Sequence, residues 1–336
     1  MIATIGQKHI LIVGSGSVGK RHAENFTRLG CSVSCCDLRE DRQQELSSLL
    51  KKDVKTYFDI HSALISERFD GVVICSPTSF HIEQAIAAIK TKTPVLMEKP
   101  LAVTLEEGRK LEIVAEKTNV PVLMGYTWRW WEPLRQVRKQ LSEGVIGSVR
   151  HVQFHMSAHL ADWHPWEAYQ DFFMSKKNLG GGALLDESHW IDLMVWFFGM
   201  PDSLIGTVEK ISDLDIETDD NVDILAYYPD NKRIFVHLDL YGRPHERFIR
   251  FVGEKGTLFW SSDPNEIRVT RGVDNEVVIE PFGCERNDMF KAVAKEFIDL
   301  LSGHREMTCG LKDGINVMKV IEAVRESSKR ASCIVL

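Results

Sequence analysis

Short, nearly continuous apolar runs alternate with amphipathic segments over the first 125 residues of the chain. Strands that are covered by helices on both faces need such runs, because neither face of the sheet meets water. The pattern therefore predicts an α/β arrangement with a doubly wound parallel sheet. The predicted strands lie near residues 9–13, 32–36, 54–57, 71–75, 94–97 and 121–124.

The pattern changes at Tyr126. Residues His151–Leu160 alternate between apolar and polar side chains, which predicts a strand with one buried face. With the elements that follow, this strand predicts a second, α+β domain with an open, mostly antiparallel sheet. We expect the first domain at residues 1–125 and the second at residues 126–336. The further elements are strands at 221–228, 233–240 and 248–252, and helices at 288–301 and 312–328.

The first apolar run ends in a glycine-spaced turn, Gly14-Ser15-Gly16-Ser17-Val18-Gly19. In such a turn Gly14 makes the tight bend, Gly16 lets the backbone approach a pyrophosphate, and Gly19 lets the next helix pack close to the strand. The amides of Ser17 and Val18, at the start of that helix, would face the phosphates. The turn therefore predicts a dinucleotide-binding Rossmann domain.

Asp37 ends the second predicted strand. A carboxylate there hydrogen-bonds the adenosine ribose of NAD and repels the 2′-phosphate of NADP. NAD is therefore the expected cofactor. Arg39 lies two residues further on and could pair with a phosphate instead, which keeps NADP open, or it is a solvated charge beside Glu40 and Asp41.

The composition excludes several classes of partner. The net charge of −7 and the absence of a basic block argue against nucleic acid and anionic membranes, and there is no apolar stretch of about eighteen residues. The chain enters its first strand without a signal peptide, and its seven cysteines form no CxxC pair, so we expect a cytoplasmic protein with reduced thiols. No metal site is predicted, because histidines 151, 155 and 159 of one strand lie too far apart for one ion.

Two further segments carry chemistry: Met97-Glu98-Lys99-Pro100 after the fifth strand, and Gly180–Asp192 in the second domain. With the glycine turn, they resemble the glucose-fructose oxidoreductase and inositol dehydrogenase (Gfo/Idh/MocA) family over essentially the whole chain. The resemblance implies hydride transfer between a nicotinamide and a carbinol carbon of a sugar, sugar acid, cyclitol or nucleotide-linked sugar. It also implies that Lys99 and His189 are catalytic. The cofactor contacts that it implies beyond the glycine turn are Ser76, Pro77, Thr78, His81 and Glu98.

The residue types fit that chemistry. Removing hydride from an alcohol requires a base for the hydroxyl proton, and histidine titrates nearer neutral pH than lysine. His189 is therefore the expected base, while Lys99 stabilises the developing alkoxide, although the two could share the proton. Asp186 lies three residues before His189 on one predicted helix and could orient it or bind substrate. Asp192 could serve instead, since the commoner family spacing is four with a glycine between.

The second domain holds seven of the eight tryptophans between Trp128 and Trp196. Trp128, Trp163 and Trp166 are candidates to stack on a sugar ring, and Arg129 and Tyr169 could supply a charge and a hydroxyl. The alternative is that most of these rings fill the core. The segment 162–169 and the three-residue Asp–His spacing resemble family members of bacterial surface-sugar pathways, which implies an acidic or nucleotide-linked sugar.

The polar face of the strand at 151–160 has two interpretations. In this family the open face of the second sheet often forms a subunit interface, so a homodimer or homotetramer is expected, or the face is only solvated. Two alternative functions also stay open: an NAD-using glycoside hydrolase of the same family, and a nucleotide-sensing protein without turnover.

Overall fold

A computed structural model describes residues 7–163, 167–273 and 275–336. Backbone contacts divide the chain into two compact units. The first unit holds the described residues up to Thr127 together with Arg286–Ile315, and the second holds the described residues of Trp128–Glu285 together with Asn316–Leu336. No helix in the described ranges is both long enough and apolar enough to cross a membrane.

The helices and strands are numbered in chain order. The helices are α1 (Ser17–Arg28), α2 (Glu40–Leu50), α3 (Ile60–Ser66), α4 (His81–Lys90), α5 (Leu105–Thr118), α6 (Glu132–Ser142), α7 (Ala183–Asp186), α8 (His189–Phe198), α9 (Arg286–Leu301) and α10 (Leu311–Arg330). The strands are β1 (His9–Val13), β2 (Ser32–Cys36), β3 (Thr56–Tyr57), β4 (Gly71–Ile74), β5 (Val95–Met97), β6 (Val122–Met124), β7 (Val149–Ser157), β8 (Ser203–Glu209), β9 (Asn221–Tyr227), β10 (Arg233–Asp239), β11 (Glu246–Gly253), β12 (Gly256–Ser262), β13 (Asn265–Arg271), β14 (Glu276–Pro281) and β15 (Ile334–Val335).

The first unit contains a parallel sheet, whose described strands follow the order β3-β2-β1-β4-β5-β6. Residues 10–12 of β1 and 72–74 of β4 are completely buried, as expected for strands that helices cover on both faces. The predicted doubly wound fold is confirmed. The strand order reverses between β1 and β4, so the carboxyl ends of these strands border the crevice where such sheets bind ligands.

Helix α9 packs in the first unit, although the domain prediction assigned it to the second. Phe297 of α9 and Phe26 of α1 lie with their ring centroids 6.0 Å apart, and Asn287 and Asn25 exchange two hydrogen bonds of 3.1 Å. A Cβ at Gly71 would come within 2.7 Å of the Phe297 ring, so the helix lies directly against β4. The periodicity of an amphipathic helix shows that it covers a core, but not which core. The boundary between residues 125 and 126 stays a prediction.

The second unit contains an open sheet, whose described strands follow the order β14-β13-β12-β11-β7-β10-β9-β8-β15. β7 and β10 are parallel, and the other neighbouring pairs are antiparallel, which confirms the mostly antiparallel sheet. Helices α7 and α8 contact one face at β7, β9 and β10. The alternating apolar residues there are completely buried: Val152, Phe154, Met156, Val222, Ile224, Ala226, Ile234, Val236 and Leu238.

The sequence prediction missed several strands of this sheet. In β14 the side chains are exposed on both faces, with Val277, Val278 and Ile279 each about half exposed. A strand without a buried face lacks the alternation that reveals strands in a sequence. β14 therefore becomes recognisable only through its pairing with β13.

A charged network lies on the other face of this sheet. The strand register sets His155 of β7, His237 of β10 and Asp223 of β9 side by side. His237 contacts Asp223 through Nδ1 at 2.7 Å and Asp239 through Nε2 at 3.0 Å, and its ring stacks on His155 at 5.2 Å. Hydrogen bonds to the two carboxylates raise the pKa of His237 to about 9.

We expect the second unit to lose stability between about pH 6.5 and about pH 9. The pKa of His237 is higher in the folded protein than the ordinary value of 6.5, so its contribution is complete below pH 6.5 and disappears as pH rises through about 9. Because solvent screens this half-buried group, we expect a loss of about 1–2 kcal/mol. Denaturant unfolding at pH 7 and pH 9, followed by tryptophan fluorescence, measures it. In His237→Gln the free energy of unfolding should fall less between pH 7 and pH 9. An equal fall in the variant and the unmodified protein contradicts the assignment.

Candidate active site

The glycine turn after β1 has the geometry of a dinucleotide cradle. Gly14 has a φ of +85°, and a Cβ there would lie 2.6 Å from the Ser76 nitrogen. A Cβ at Gly19 would lie 1.9 Å from the Gly14 oxygen, so α1 packs directly on the turn. A Cβ at Gly16 would lie 3.8 Å from Arg42 Nη1, an ordinary contact with the end of a flexible side chain, so this position is less crowded than Gly14 and Gly19.

The start of α1 is also suited to bind a pyrophosphate. The N-cap of α1 is Gly16, which has no side chain to cap the helix, and Ser17 and Val18 form its exposed first turn. Backbone amides and the positive end of the helix dipole therefore face the less crowded space at Gly16. The geometry of residues 14–19 is therefore suited to a pyrophosphate, and their contact with the cofactor stays a prediction.

Asp37 follows β2 and supports the cradle. Its carboxylate accepts hydrogen bonds from the Ser15 amide at 2.7 Å, the Ser15 hydroxyl at 3.0 Å and the Arg39 amide at 2.9 Å. Arg39 itself is exposed and pairs with Asp41, with Nε 3.1 Å from a carboxylate oxygen. The sequence analysis missed Arg42, whose spacing from the glycine turn shows nothing unusual and whose guanidinium only the fold brings to Gly16.

The segment after β4 divides into exposed and buried residues. Ser76 and Pro77 are partly exposed beside the glycine turn, which suits cofactor contacts. Thr78 is 2% exposed and His81 is 1% exposed. Both ring nitrogens of His81 contact backbone carbonyls, at Pro100 (2.8 Å) and Ser76 (2.9 Å). The cofactor contact predicted for His81 is untested, but its polar atoms are already engaged within the protein.

Lys99 follows β5 at the carboxyl edge of the first sheet. It is partly exposed between two buried neighbours, Glu98 and Pro100, and the Lys99–Pro100 peptide bond is cis. The Glu98 carboxylate contacts His22 Nε2 of α1 at 2.8 Å. A Cβ at Gly125 would come within 3.0 Å of Glu98, so the glycine lets β6 pack against this side chain. The predicted cofactor contact of Glu98 is untested, and its carboxylate binds His22.

In the second unit, the glycine segment at 180–182 leads into α7. Gly182 has a φ of +111°, and a Cβ there would lie 2.3 Å from the Asp219 carboxylate. Asp219 accepts a hydrogen bond from the Leu184 amide at 2.8 Å and thereby caps α7, which ends at Asp186. Burial raises the pKa of Asp219. Asp219 lies 35 positions from Leu184, so local spacing could not identify it.

The prediction that one helix carries both Asp186 and His189 is wrong. Asp186 ends α7 and His189 begins α8, with Glu187 and Ser188 between them. The amides of Ser188 and Trp190 bond three residues back, to Leu185 and Glu187, instead of four. The helical hydrogen-bond pattern is therefore interrupted between Asp186 and His189, so the i,i+3 rule for one continuous helix does not apply to them. His189 is partly exposed between Ser188 and Trp190, which are 0% and 1% exposed.

Arg129 and Asp192 form a buried ion pair. Arg129 Nη2 lies 2.7 Å from the carboxylate, Nε lies 3.0 Å from it, and the residues are 3% and 0% exposed. Asp192 lies in the first turn of α8, three residues after His189. Direct substrate contact by either residue stays a prediction, but their charges are paired with one another, which favours a role in positioning α8.

The aromatic candidates differ in their surroundings. The Trp128 ring packs against Trp131, Trp190 and Trp260, with centroids between 5.6 and 6.2 Å away, so one side belongs to the core. Trp163 is partly exposed, and Trp166 lies outside the described residues. Tyr169 lines a cavity of about 370 Å³ together with polar residues. The other lining residues are His159, Ser212, Asp213, Leu214, Tyr241 and Arg243.

Among the described residues, no group of three or more histidine, cysteine, aspartate or glutamate side chains is arranged to hold a metal ion. His155 and His237 instead contact each other and neighbouring carboxylates.

Two parts of the chain match models of one protein family. Residues 8–126 match the model of an oxidoreductase family with an NAD-binding Rossmann fold, GFO/IDH/MocA. Residues 134–259 match the model of the GFO/IDH/MocA C-terminal domain. The match of the first model supports the nicotinamide cofactor that the glycine turn predicted.

Three individual proteins illustrate the similarity. Myo-inositol 2-dehydrogenase of Thermotoga maritima is 30% identical over 40% of this chain and 41% of its own. Glucose-6-phosphate 3-dehydrogenase of Bacillus subtilis is 26% identical over 65% of this chain and 61% of its own. A levoglucosan dehydrogenase, solved with NADH and levoglucosan, shares 17% identity and has a TM-score of 0.86 over 98% of this chain and 99% of its own. The chain thus matches between 41% and 61% of the length of the two curated relatives.

Proposed function

Because the chain belongs to the GFO/IDH/MocA oxidoreductase family, we propose that it is an NAD-dependent dehydrogenase or reductase of a sugar, sugar acid, cyclitol or nucleotide-linked sugar. The observation that carries the proposal is the position of Lys99, which is partly exposed between buried neighbours at the sheet edge that bears the glycine cradle. Relatives with similar sequences are named inositol and glucose-6-phosphate dehydrogenases. Their substrates indicate the chemical class proposed here.

In the proposed reaction the residues of this chain have separate roles. The glycine turn and the first amides of α1 bind the pyrophosphate, and Asp37 binds the adenosine ribose. Bound NAD⁺ would supply the acceptor for the hydride of the carbinol carbon. His189 takes the proton from the hydroxyl group, and the Lys99 ammonium stabilises the developing negative charge on that oxygen. Asp186 binds a substrate hydroxyl or orients the His189 ring.

Substrate recognition belongs to the second unit in this proposal. Trp163 is partly exposed. The cavity lined by Tyr169 offers ring faces together with hydroxyl, carboxylate and guanidinium groups. Such a mixture suits a ring that carries several hydroxyl groups, because each hydroxyl both donates and accepts hydrogen bonds. Trp128 contributes to substrate binding through the side of its ring that does not pack in the core.

We further propose that the chain works in the cytoplasm as a homodimer or homotetramer. All seven cysteines are free thiols, which suits a reducing compartment. The face of the second sheet opposite α7 and α8 carries partly exposed Leu225, Phe235 and Phe248 beside the His237 network. A partly apolar face with paired charges is suited to self-association through a twofold axis.

A substrate screen tests the proposed function. The purified protein is incubated with NAD⁺ or NADP⁺ and with free sugars, sugar acids, inositols or nucleotide sugars, and the nicotinamide absorbance is followed. We expect reduction of NAD⁺ with one of these classes and slower reduction of NADP⁺, because Asp37 repels a 2′-phosphate. Release of an aglycone without net absorbance change would indicate a glycosidase. NADH binding without any turnover would indicate a sensor.

A further inference from the structure

We propose that His22 and His81 are positioning residues that hold the chain on either side of Lys99. The inference rests on the proposed role of Lys99 in the reaction. It concerns only the first unit, in which the two histidines approach the Lys99 segment from different helices. One contacts the residue before Lys99, and the other contacts the residue after it.

His22 holds Glu98. Its ring lies on α1, is completely buried and contacts the Glu98 carboxylate at 2.8 Å. Glu98 is also bound through its backbone, since its amide donates to the Ile74 oxygen at 2.9 Å. The residue before Lys99 is thus held by β4 and by the helix that begins at the glycine cradle. The cradle and the Lys99 segment are therefore linked through one side chain of α1.

His81 holds Pro100. It is the first residue of α4, and its buried ring lies between the Pro100 oxygen at 2.8 Å and the Ser76 oxygen at 2.9 Å. These oxygens belong to the segments that follow β5 and β4. Burial lowers the pKa of His81 against the opposing effect of both carbonyls.

The two contacts together fix the backbone from which the Lys99 side chain projects. A lysine side chain has four rotatable bonds, so its ammonium group is placed accurately only if the backbone is held. Glu98 and Pro100 are buried, whereas Lys99 between them is partly exposed. A misplacement of about 1 Å at a reacting group can lower a rate by about 100-fold. The histidines therefore serve catalysis through the backbone on either side of Lys99.

The test compares His81→Phe and His22→Phe with His9→Phe. Phenylalanine retains a ring and removes the hydrogen bonds. His9 is a matched control, because it lies at the opposite, amino end of the same sheet and contacts Ser34 at 2.9 Å. With the substrate found in the screen, we expect kcat to fall about 10- to 100-fold in the first two variants and to stay unchanged in the control. NADH affinity, measured by fluorescence titration, should change less than about threefold.

A second readout needs no substrate. Reductive methylation with ¹³C-formaldehyde labels the lysines, and the Lys99 signal is assigned by its loss in Lys99→Met. We expect this signal and its titration to move in His81→Phe and His22→Phe, while the signal of exposed Lys90 does not move. If either phenylalanine variant fails to fold, His81→Gln and His22→Gln replace it. The glutamine amide can still donate and accept hydrogen bonds, so these variants should keep part of the kcat and of the original Lys99 signal.

The outcomes separate the two proposals. If Lys99→Met retains turnover, the proposed function of Lys99 is wrong. If Lys99→Met is inactive but folded histidine variants keep both the kcat and the Lys99 signal of the original protein, only the positioning role is wrong. A loss of NADH affinity that accounts for the whole loss of turnover would also overturn it, since His81 would then act on the cofactor.

Discussion

Replacing Lys99 by methionine is expected to lower kcat by about 100- to 1,000-fold while NADH binds with nearly unchanged affinity. Methionine keeps the length of the side chain but removes the ammonium group that stabilises the developing alkoxide. The glycine cradle and Asp37 do not depend on Lys99, so the cofactor should still bind. Steady-state kinetics with the substrate found in the screen, together with NADH fluorescence titration, measures both quantities.

His189→Asn should cause a similar loss of turnover for a different reason. An imidazole accepts a proton only when it is unprotonated, so oxidation of the alcohol by the original protein should slow as the pH is lowered. The asparagine variant should lack this dependence. Lys90→Met and His61→Asn are controls, because both residues are exposed and neither belongs to the proposed site. Full turnover in Lys99→Met or in His189→Asn removes that residue from the mechanism.

Replacing Asp192 by alanine is expected to destabilise the second unit by about 3–5 kcal/mol. The change leaves the Arg129 guanidinium buried without the carboxylate that accepts its Nε and Nη2 hydrogen bonds. All tryptophans of the chain lie in the segment 128–260, so their fluorescence reports the unfolding of this unit. The denaturation midpoint should therefore fall markedly.

Two further variants serve as controls for Asp192→Ala. Arg129→Met combined with Asp192→Leu removes both charges, so the double variant should recover much of the lost stability. Asp162→Ala breaks the pair between Arg243 and Asp162, which has similar geometry but lies more than half exposed, and should leave the midpoint unchanged. Equal midpoints for Asp192→Ala and the unmodified protein would contradict a structural role of the Arg129–Asp192 pair.

The buried pair also bears on catalysis. Asp192 lies one turn from His189 on α8, and Arg129 anchors that turn to the segment that follows β6. The sequence predicted both residues as substrate contacts. A charged residue near a catalytic motif can either contact the substrate or position the helix that carries the motif. The burial and mutual pairing of Arg129 and Asp192 favour the positioning role, and neither property is visible in residue spacing.

The alternation of apolar runs and helices, the glycine spacing and the single alternating strand were sufficient to predict both folds and the cofactor. Each of these signals is local, because it reflects which neighbouring positions face a core and which backbone positions must lack a Cβ. The prediction of one continuous helix through Asp186 and His189 failed at a tight turn that apolar periodicity does not reveal. The missed strand β14 has no buried face and therefore no such periodicity.

The tertiary structure alone decided which side chains are partners. His22 contacts Glu98, which lies 76 residues further along the sequence, and Arg129 contacts Asp192, which lies 63 residues further. Asp219 caps a helix through Leu184, which lies 35 residues earlier in the sequence. Residue spacing encodes burial, whereas pairing depends on how complete helices and strands pack, and this packing brings together residues that share no local pattern. For the same reason Lys99 and His81 could be named from their motifs, but the contacts of His22 with Glu98 and of His81 with Pro100 became visible only in the structure.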